Sequence, residues 1–244
     1  MEEIADIHNH ILFDVDDGSK TFEQSQNMLD MAYNEGIRTI ILTPHHNPYR
    51  WHNTITELRA KYKILREYCM DNYPKLDLYL GNEIYYGEDT LEELNNKKIL
   101  TMADSRYVLV EFSPSAEYRY IKHAIMDIQQ SGYYPIVAHV ERYECLLSKS
   151  GYIDELKELG AFIQVNASAI MGERNRIEKK FTNKLLKHEN VDFVATDAHR
   201  DNVRTPRIKS CMEYVIKKYG NAYAKRIFNE NPSRVINDEY IEYY

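Results

Sequence analysis

Seven times along this chain a short, continuously apolar run gives way to a longer stretch with helical periodicity. That alternation constrains the fold more than any other feature. The apolar runs are Ile4–His8, Ile37–Thr43, Leu76–Leu80, Tyr107–Phe112, Tyr134–His139, Ala161–Asn166 and Val191–Thr196. Most are rich in Ile, Val and Tyr and continuously apolar, the pattern of parallel strands buried on both faces. Between them, Thr21-Phe22-Glu23-Gln24 and Thr54-Ile55-Thr56-Glu57 match capping boxes and predict helix starts. Gly36 is placed to stop the first helix, and Ile121, Ala124, Ile125 and Ile128 form one apolar stripe in a later one. Strand-then-helix units in this number predict an α/β fold, a (β/α)7 TIM-like barrel, with an open doubly wound sheet as the alternative. No linker, repeat or low-complexity segment divides the chain, so 1–244 is read as one domain.

Bulk composition excludes several classes. A chain of 244 residues with 43% hydrophobic and 28% charged residues is globular. No apolar run approaches the ~20 residues that span a bilayer, and the acidic start Met1-Glu2-Glu3-Ile4 lacks a signal-peptide layout, so a cytoplasmic protein without membrane insertion is expected. The net charge of −7 leaves no basic face for nucleic acid. Cys69, Cys145 and Cys211 are odd in number and far apart, which argues against a disulfide framework. Cys69 and Cys211 read as core fillers, and Cys145 as a packed thiol near the presumed site.

The chemistry sits at the ends of the runs. They lead into Asp6-Ile7-His8-Asn9-His10, Thr43-Pro44-His45-His46, Gly81-Asn82-Glu83, Val110-Glu111, His139-Val140-Glu141-Arg142, Val165-Asn166 and Asp197-Ala198-His199. Barrel enzymes place their catalytic groups at those carboxyl ends. His8 and His10 are two apart, so an extended chain points both the same way, and Asp197 and His199 repeat the spacing. Imidazole and carboxylate ligands suit Zn, Mn or Fe, and one ion needs only three or four of them. About twice that number predicts two or three ions. Any one of these residues has an ordinary alternative as a hydrogen-bonded strand-end group, but the whole set buried without cations would cost several kcal/mol.

Arg142 and Arg204 follow the ligands closely and are expected to contact phosphate, an ion pair with Glu141 or Glu144 being the alternative for Arg142. His46 and His52 lie in the loop after the second run and are expected outside the site. His123 is expected in solvent, and His188 near a helix end. Phe13, Tyr49 and Trp51 are candidates for an aryl-binding rim.

These residues carry a family likeness. Asp6-Ile7-His8-Asn9-His10-Ile11-Leu12-Phe13-Asp14-Val15-Asp16-Asp17-Gly18-Ser19 resembles the opening of the polymerase-and-histidinol-phosphatase (PHP) superfamily. More narrowly it is similar to the manganese-dependent protein-tyrosine phosphatases of Gram-positive capsule and exopolysaccharide loci, the CpsB/YwqE group. Gly81-Asn82-Glu83-Ile84-Tyr85-Tyr86, Ser105-Arg106-Tyr107, Glu111-Phe112-Ser113, His139-Val140-Glu141-Arg142-Tyr143, Gln164-Val165-Asn166 and Asp197-Ala198-His199 follow that group in order. The likeness implies the PHP barrel and three metal ions. His8, His10, Glu83 and Asp197 would hold the first. Glu83 would bridge to a second with Glu111 and His139, and Asp17, His45 and His199 would hold the third. Manganese is the first choice, with Fe, Zn, Co or Mg compatible. Arg142, Arg204 and His199 match positions that serve catalysis. The implied substrate is a phosphotyrosine protein, a tyrosine autokinase that regulates polysaccharide synthesis or export. The segment Thr43 to Trp51 departs from the usual pattern.

The expected reaction is in-line attack by activated water on phosphorus, without a covalent enzyme intermediate. A cysteine phosphatase would need an Arg six positions after a Cys, and those positions hold Lys75, Gly151 and Lys217. The same skeleton acting on small phosphate monoesters or diesters is one alternative. A metal-containing regulator that binds phosphotyrosine without turnover is another. The end Tyr240-Ile241-Glu242-Tyr243-Tyr244 offers a candidate phosphosite, with a solvated terminus the plainer reading.

Overall fold

The structure is a computed structural model describing residues 3–51, 53–149 and 151–242, so the readings of His52, Tyr243 and Tyr244 lie outside the described residues. The strands among them are β1 (Ile4–Asp6), β2 (Ile37–Leu42), β3 (His45–His46), β4 (Asp77–Leu80), β5 (Glu83–Tyr85), β6 (Tyr107–Glu111), β7 (Tyr134–Val137), β8 (Phe162–Asn166) and β9 (Phe193–Ala195). All pair in parallel, in the orders β1-β2-β4 and β3-β5-β6-β7-β8-β9.

These two sheets are one curled surface. β2 runs into β3 across Thr43-Pro44, and β4 into β5 across Gly81-Asn82. Proline gives the ladder no N–H, so the strand breaks there. The ladder is carried over the break by Gly81 N–H donating to Leu42 O at 2.8 Å and Glu83 N–H donating to Pro44 O at 3.2 Å. With β2/β3 and β4/β5 each taken as one stave, the staves follow the sequence around the barrel. The first and last meet at the mouth: Asp197 N–H donates to His8 O at 2.8 Å and His10 N–H to Ala198 O at 2.7 Å. Below that seam the Asp6 carboxylate accepts from Thr196 N–H at 2.9 Å and from its hydroxyl at 2.6 Å.

β1, β8 and β9 are buried throughout and β6 and β7 nearly so, which is why most of the runs are continuously apolar; β4, with Asp77 exposed, is the exception. Ile41, Tyr107, Leu109, Ile136, Phe162 and Phe193 fill the interior. Ile40, Val108, Val110, Val137, Ile163 and Val194 point outward to the helices. Val235 and Ile241 join the interior cluster from the C-terminal segment, where Tyr107 OH donates to Glu239 O at 2.8 Å.

The helices are α1 (Phe22–Asn34), α2 (Ile55–Asn72), α3 (Thr90–Asn95), α4 (Tyr118–Gln130), α5 (Glu144–Ser148), α6 (Gly151–Glu158), α7 (Ala167–Met171), α8 (Arg176–Lys187), α9 (Lys209–Tyr219), α10 (Asn221–Lys225) and α11 (Asn231–Ile236). Thr54 heads α2 with a complete capping box. Thr21 caps α1 through Gln24 N–H, but the reciprocal half is absent. Gln24 Oε1 instead accepts from Lys20 N–H at 2.9 Å, while its Nε2 is held by Asp201 at 3.0 Å. Gly36 follows α1 with φ +91°, the left-handed turn that glycine adopts without strain. The α4 stripe of Ile121, Ala124, Ile125 and Ile128 is buried as predicted.

Two strand readings need correction. The segment taken as a loop after the second run resumes as β3, so His46 is a strand residue. The fifth run ends earlier than its apolar character suggests, because His139 (φ +33°) turns left-handed just past β7, and Asp197 (φ +52°) does the same just beyond the seventh run. Asp197 and His199 therefore do not repeat the extended geometry expected for them. Non-glycine residues in that region persist only where surrounding contacts hold them.

Candidate metal centre

The candidate ligands arrive at the mouth from six staves and one loop. His8 and His10 follow β1, His45 opens β3, Glu83 opens β5, Glu111 closes β6, His139 follows β7, and Asp197 and His199 follow β9. Asp17 comes from the loop after His10, brought close at Gly18. A Cβ on Gly18 would lie 2.3 Å from His10 O, so this approach requires glycine. The three neighbouring aspartates divide the work. Asp14 is exposed and pairs with Lys61 at 2.9 Å. Asp16 is buried and accepts from His10 Nδ1 at 2.7 Å. Asp17 faces His45 Nε2 at 3.4 Å and His199 Nε2 at 3.6 Å.

The imidazoles are oriented from behind. His8 Nδ1 donates to Gln164 Oε1 at 3.1 Å, His10 Nδ1 to Asp16, and His199 Nδ1 to the Asp197 carbonyl at 3.0 Å. These partners are acceptors, so the proton sits on Nδ1 and the Nε2 lone pair faces the centre, the arrangement usual for metal-ligating histidines. Gln164 Oε1 also accepts from His139 N–H at 2.7 Å, and its Nε2 donates to Asn166 Oδ1 at 2.9 Å.

Inside the ring, apart from a hydrogen bond between His139 Nε2 and Glu83 Oε1, atoms face each other without hydrogen bonds. His8 Nε2, His10 Nε2, His45 Nδ1 and Glu83 Oε2 are buried and unpartnered. His8 Nε2 lies 3.2 Å from Glu83 Oε1 and 3.6 Å from Asp197 Oδ1. His10 Nε2 lies 3.2 Å from Glu83 Oε2. His45 Nδ1 is 3.1 Å from both Glu83 and Glu111, and His139 Nε2 is 2.8 Å from Glu83. Among the described residues four groups could each surround an ion: His10, Asp17, His45 and His199; His8, His10 and Asp197; His8, Glu83 and His139; His45, Glu83 and Glu111. A buried unpaired nitrogen or carboxylate oxygen costs about 1–3 kcal/mol, more when charged. Lone pairs converging at these separations fit divalent cations, whose bonds to such atoms are about 2.0–2.2 Å long.

The electrostatics point the same way. Burial opposes charge on His10, yet the Asp16 carboxylate holds it well above the ordinary imidazole value. Against the same burial, Glu83 raises His45 to about 10. Glu83 and Asp197 are held well below the carboxylate range despite burial, by His8 and by Arg142 respectively. The centre thus keeps its carboxylates ionised and balances them with whatever positive charge is at hand. His199, desolvated and beside His10, is lowered to about 3 and stays neutral.

Both predicted arginines reach the mouth. Asp197 Oδ2 accepts from Arg142, from Arg204 at 2.7 Å and from Asn166 Nδ2 at 2.9 Å. The Glu141 and Glu144 alternative for Arg142 does not form, and Glu141 Oε1 accepts from Asn166 N–H at 3.1 Å. His46 turns away to Glu93 at 2.9 Å. His123 and His188 are exposed. The pocket above the centre has a volume of about 460 Å³, with Tyr49, Trp51, Tyr85 and Phe112 on its walls. Trp51 lies parallel to the His45 ring, centroids 4.7 Å apart. Phe13 is not on that rim; it packs edge-on against Phe22 at 5.4 Å. Sequence reasoning missed the roles of Gln164 and Asp16. An amide between Ile163 and Val165 in a wholly buried strand was the available signal, since a buried polar side chain needs a partner.

Comparison with known proteins agrees with this geometry. Residues 4–237 match the family model for capsular polysaccharide synthesis, CpsB/CapC. The chain is 36% identical over 243 residues to the tyrosine-protein phosphatase CpsB of Streptococcus pneumoniae, covering 98% of this chain and 100% of the relative. Its structure superposes with a TM-score of 0.91 and 29% identity, over 98% of this chain and 96% of the other, on the crystal structures described as YwqE from Bacillus subtilis and CpsB from Streptococcus pneumoniae, unique metal-dependent tyrosine phosphatases. The phosphotriesterase homology protein of Escherichia coli, 11% identical with a TM-score of 0.62 over 96% of this chain and 98% of that one, shares the barrel fold. With a family model spanning nearly all of it and full-length relatives above 30% identity, the chain belongs to the CpsB/CapC family of capsular polysaccharide synthesis.

Proposed function

We propose that this chain, 1–244 working as one domain, is a metal-dependent protein-tyrosine phosphatase. One observation carries the reading. Five imidazoles and four carboxylates converge with unpartnered buried atoms at about 3.1–3.6 Å, and two guanidiniums stand at the same mouth. The printed names of the relatives, tyrosine-protein phosphatases, support the substrate class.

His8, His10, Asp17, His45, Glu83, Glu111, His139, Asp197 and His199 would hold two or three divalent cations, with manganese our first choice. Such ions supply Lewis acidity, making water acidic enough to act as a nucleophile near neutral pH and neutralising phosphoryl charge. Arg142 and Arg204 bind the phosphoryl oxygens with paired N–H donors, turning from Asp197 to the substrate. The aromatic walls favour an aryl ester over a small aliphatic one. His199 keeps its proton on Nδ1, held by the Asp197 carbonyl, and offers Nε2 to the centre. General acid help from it is small, because burial disfavours a second proton and phenolate, with a pKa of about 10, leaves without much assistance. Cysteine chemistry has no support: burial pushes the Cys69 thiol up to about 12 and raises Cys145 as well. No helix among the described residues is long and apolar enough to cross a membrane. The family's link to capsular polysaccharide synthesis supports our choice of a cytoplasmic enzyme with a tyrosine autokinase as the substrate.

The test is elemental analysis of the purified protein alongside hydrolysis of a phosphotyrosine peptide, with and without added manganese. Two or three equivalents of metal and chelator-sensitive turnover are expected. Metal-free protein with full turnover contradicts the proposal, and so does metal-loaded protein without turnover.

A further inference from the structure

Beside the pocket over the metal centre lies a second, larger cavity of about 670 Å³. The two share Pro114, Arg142, Asp197 and Arg204 on their walls, so they adjoin at the arginines proposed to hold phosphate. The second cavity adds Arg174 and Arg207, set against the single further acid Glu173. In a chain of net charge −7, four arginines on one wall are a local reversal of sign.

That positive charge is only partly used inside the protein. Arg142 and Arg204 share one carboxylate, Oδ2 of Asp197. Arg174 makes a loose pair with Glu178 at 3.7 Å, and its side chain remains about half exposed. Arg207 is exposed and has no carboxylate partner among the described residues. Ser168, Asn202 and Thr205 add neutral hydrogen-bonding groups. The loop carrying Arg204 and Arg207 has a defined form: Arg204 is left-handed at φ +49°, its carbonyl accepts from His199 N–H at 2.9 Å, and Pro206 is buried.

We infer that this cavity is a second anion subsite. It receives a carboxylate or a second phosphoryl group carried by the same peptide as the phosphotyrosine being hydrolysed, and Arg174 and Arg207 are its recognition residues. Guanidiniums donate only, in a planar fork that matches either oxyanion. An extended chain advances about 3.3 Å per residue, so a side chain two or three positions from the phosphotyrosine spans to a cavity sharing a wall with its pocket. The inference rests on the phosphotyrosine reading and deepens it.

Three peptides of equal length test it, each with one central phosphotyrosine. The flanks are neutral, glutamate-rich, or neutral with a second phosphotyrosine. They are assayed on metal-loaded protein beside p-nitrophenyl phosphate, which has no flank. For the unaltered protein the anionic peptides should show a KM about 3- to 10-fold below the neutral one, narrowing at high salt. Arg207→Ala and Arg174→Ala should each remove about 2- to 5-fold of that preference, and Arg207→Glu should invert it, with p-nitrophenyl phosphate turnover within 2-fold throughout. Arg174→Gln serves if Arg174→Ala fails to fold with Glu178 left unpaired. Preference for only one of the two anionic peptides identifies carboxylate or phosphate as the ligand and upholds the subsite. Equal KM values for all three peptides, or a preference that survives Arg207→Glu combined with Arg174→Gln, overturn it. Absence of turnover on every substrate would instead break the phosphatase reading. Fluorescence anisotropy of the labelled peptides then decides the subsite by the same ranking of affinities.

Discussion

Glu83 bears more of the site than any other side chain. Its two oxygens lie within 3.2 Å of His8, His10, His45 and His139, and it belongs to two of the ion-sized groups. Glu83→Gln keeps the shape and removes the charge, so it should lower bound metal by at least one equivalent and kcat by 100-fold or more, read by elemental analysis and peptide hydrolysis. Gln164 contacts no presumed substrate, yet its one oxygen fixes both His8 and the His139 backbone. Gln164→Ala should weaken metal affinity by about 10- to 100-fold, measurable by titration with a chelator competitor, while added metal restores turnover. Alkylation of Cys145 should leave activity unchanged, because its half-buried thiol is raised rather than activated. Thiol-dependent loss of turnover would revive the cysteine alternative.

At the scale of elements, the alternation of apolar runs and amphipathic stretches was enough to place the seven staves, while the choice of a barrel over a doubly wound sheet needed the structure. It worked because both strand faces are buried: Tyr107 and Leu109 face inward while Val108 and Val110 meet the helices. What it missed follows from backbone turns that side-chain character does not encode. His139 leaves the strand conformation inside its run, Asp197 turns just beyond the end of its run, and β3 resumes after Pro44. Capping chemistry was legible at Thr54, where no competitor intervenes, and half legible at Thr21, where Asp201 from a distant loop takes the Gln24 amide. The candidate metal-site residues were visible as strand-end polar groups, whereas the acceptors behind them, Asp16 and Gln164, were recognised only in the folded chain. Thr54→Ala should cost about 1 kcal/mol in urea denaturation with no change in metal content. Ile125→Ala, which empties the buried face of α4, should cost about 2–5 kcal/mol.

As a whole, the molecule is a barrel whose lower end is closed by apolar packing of Val235 and Ile241 and whose upper end gathers ionisable groups. Those groups are a liability to the fold unless compensated, so metal binding and stability should be linked. Ion at 100 times its dissociation constant adds about 2.7 kcal/mol per site. Exhaustive chelation should therefore lower the thermal midpoint by several degrees, reversed by manganese, and Glu83→Gln should shrink the shift. An unchanged midpoint would mean the imidazoles and carboxylates satisfy one another without cations. The most direct test is anomalous diffraction at the manganese edge from crystals grown with that ion. The account predicts two or three peaks enclosed by His8, His10, His45, Glu83, His139 and Asp197, each about 2.0–2.3 Å from its nitrogen and oxygen neighbours. A map with no peak among those side chains, at full occupancy of manganese in solution, would contradict it.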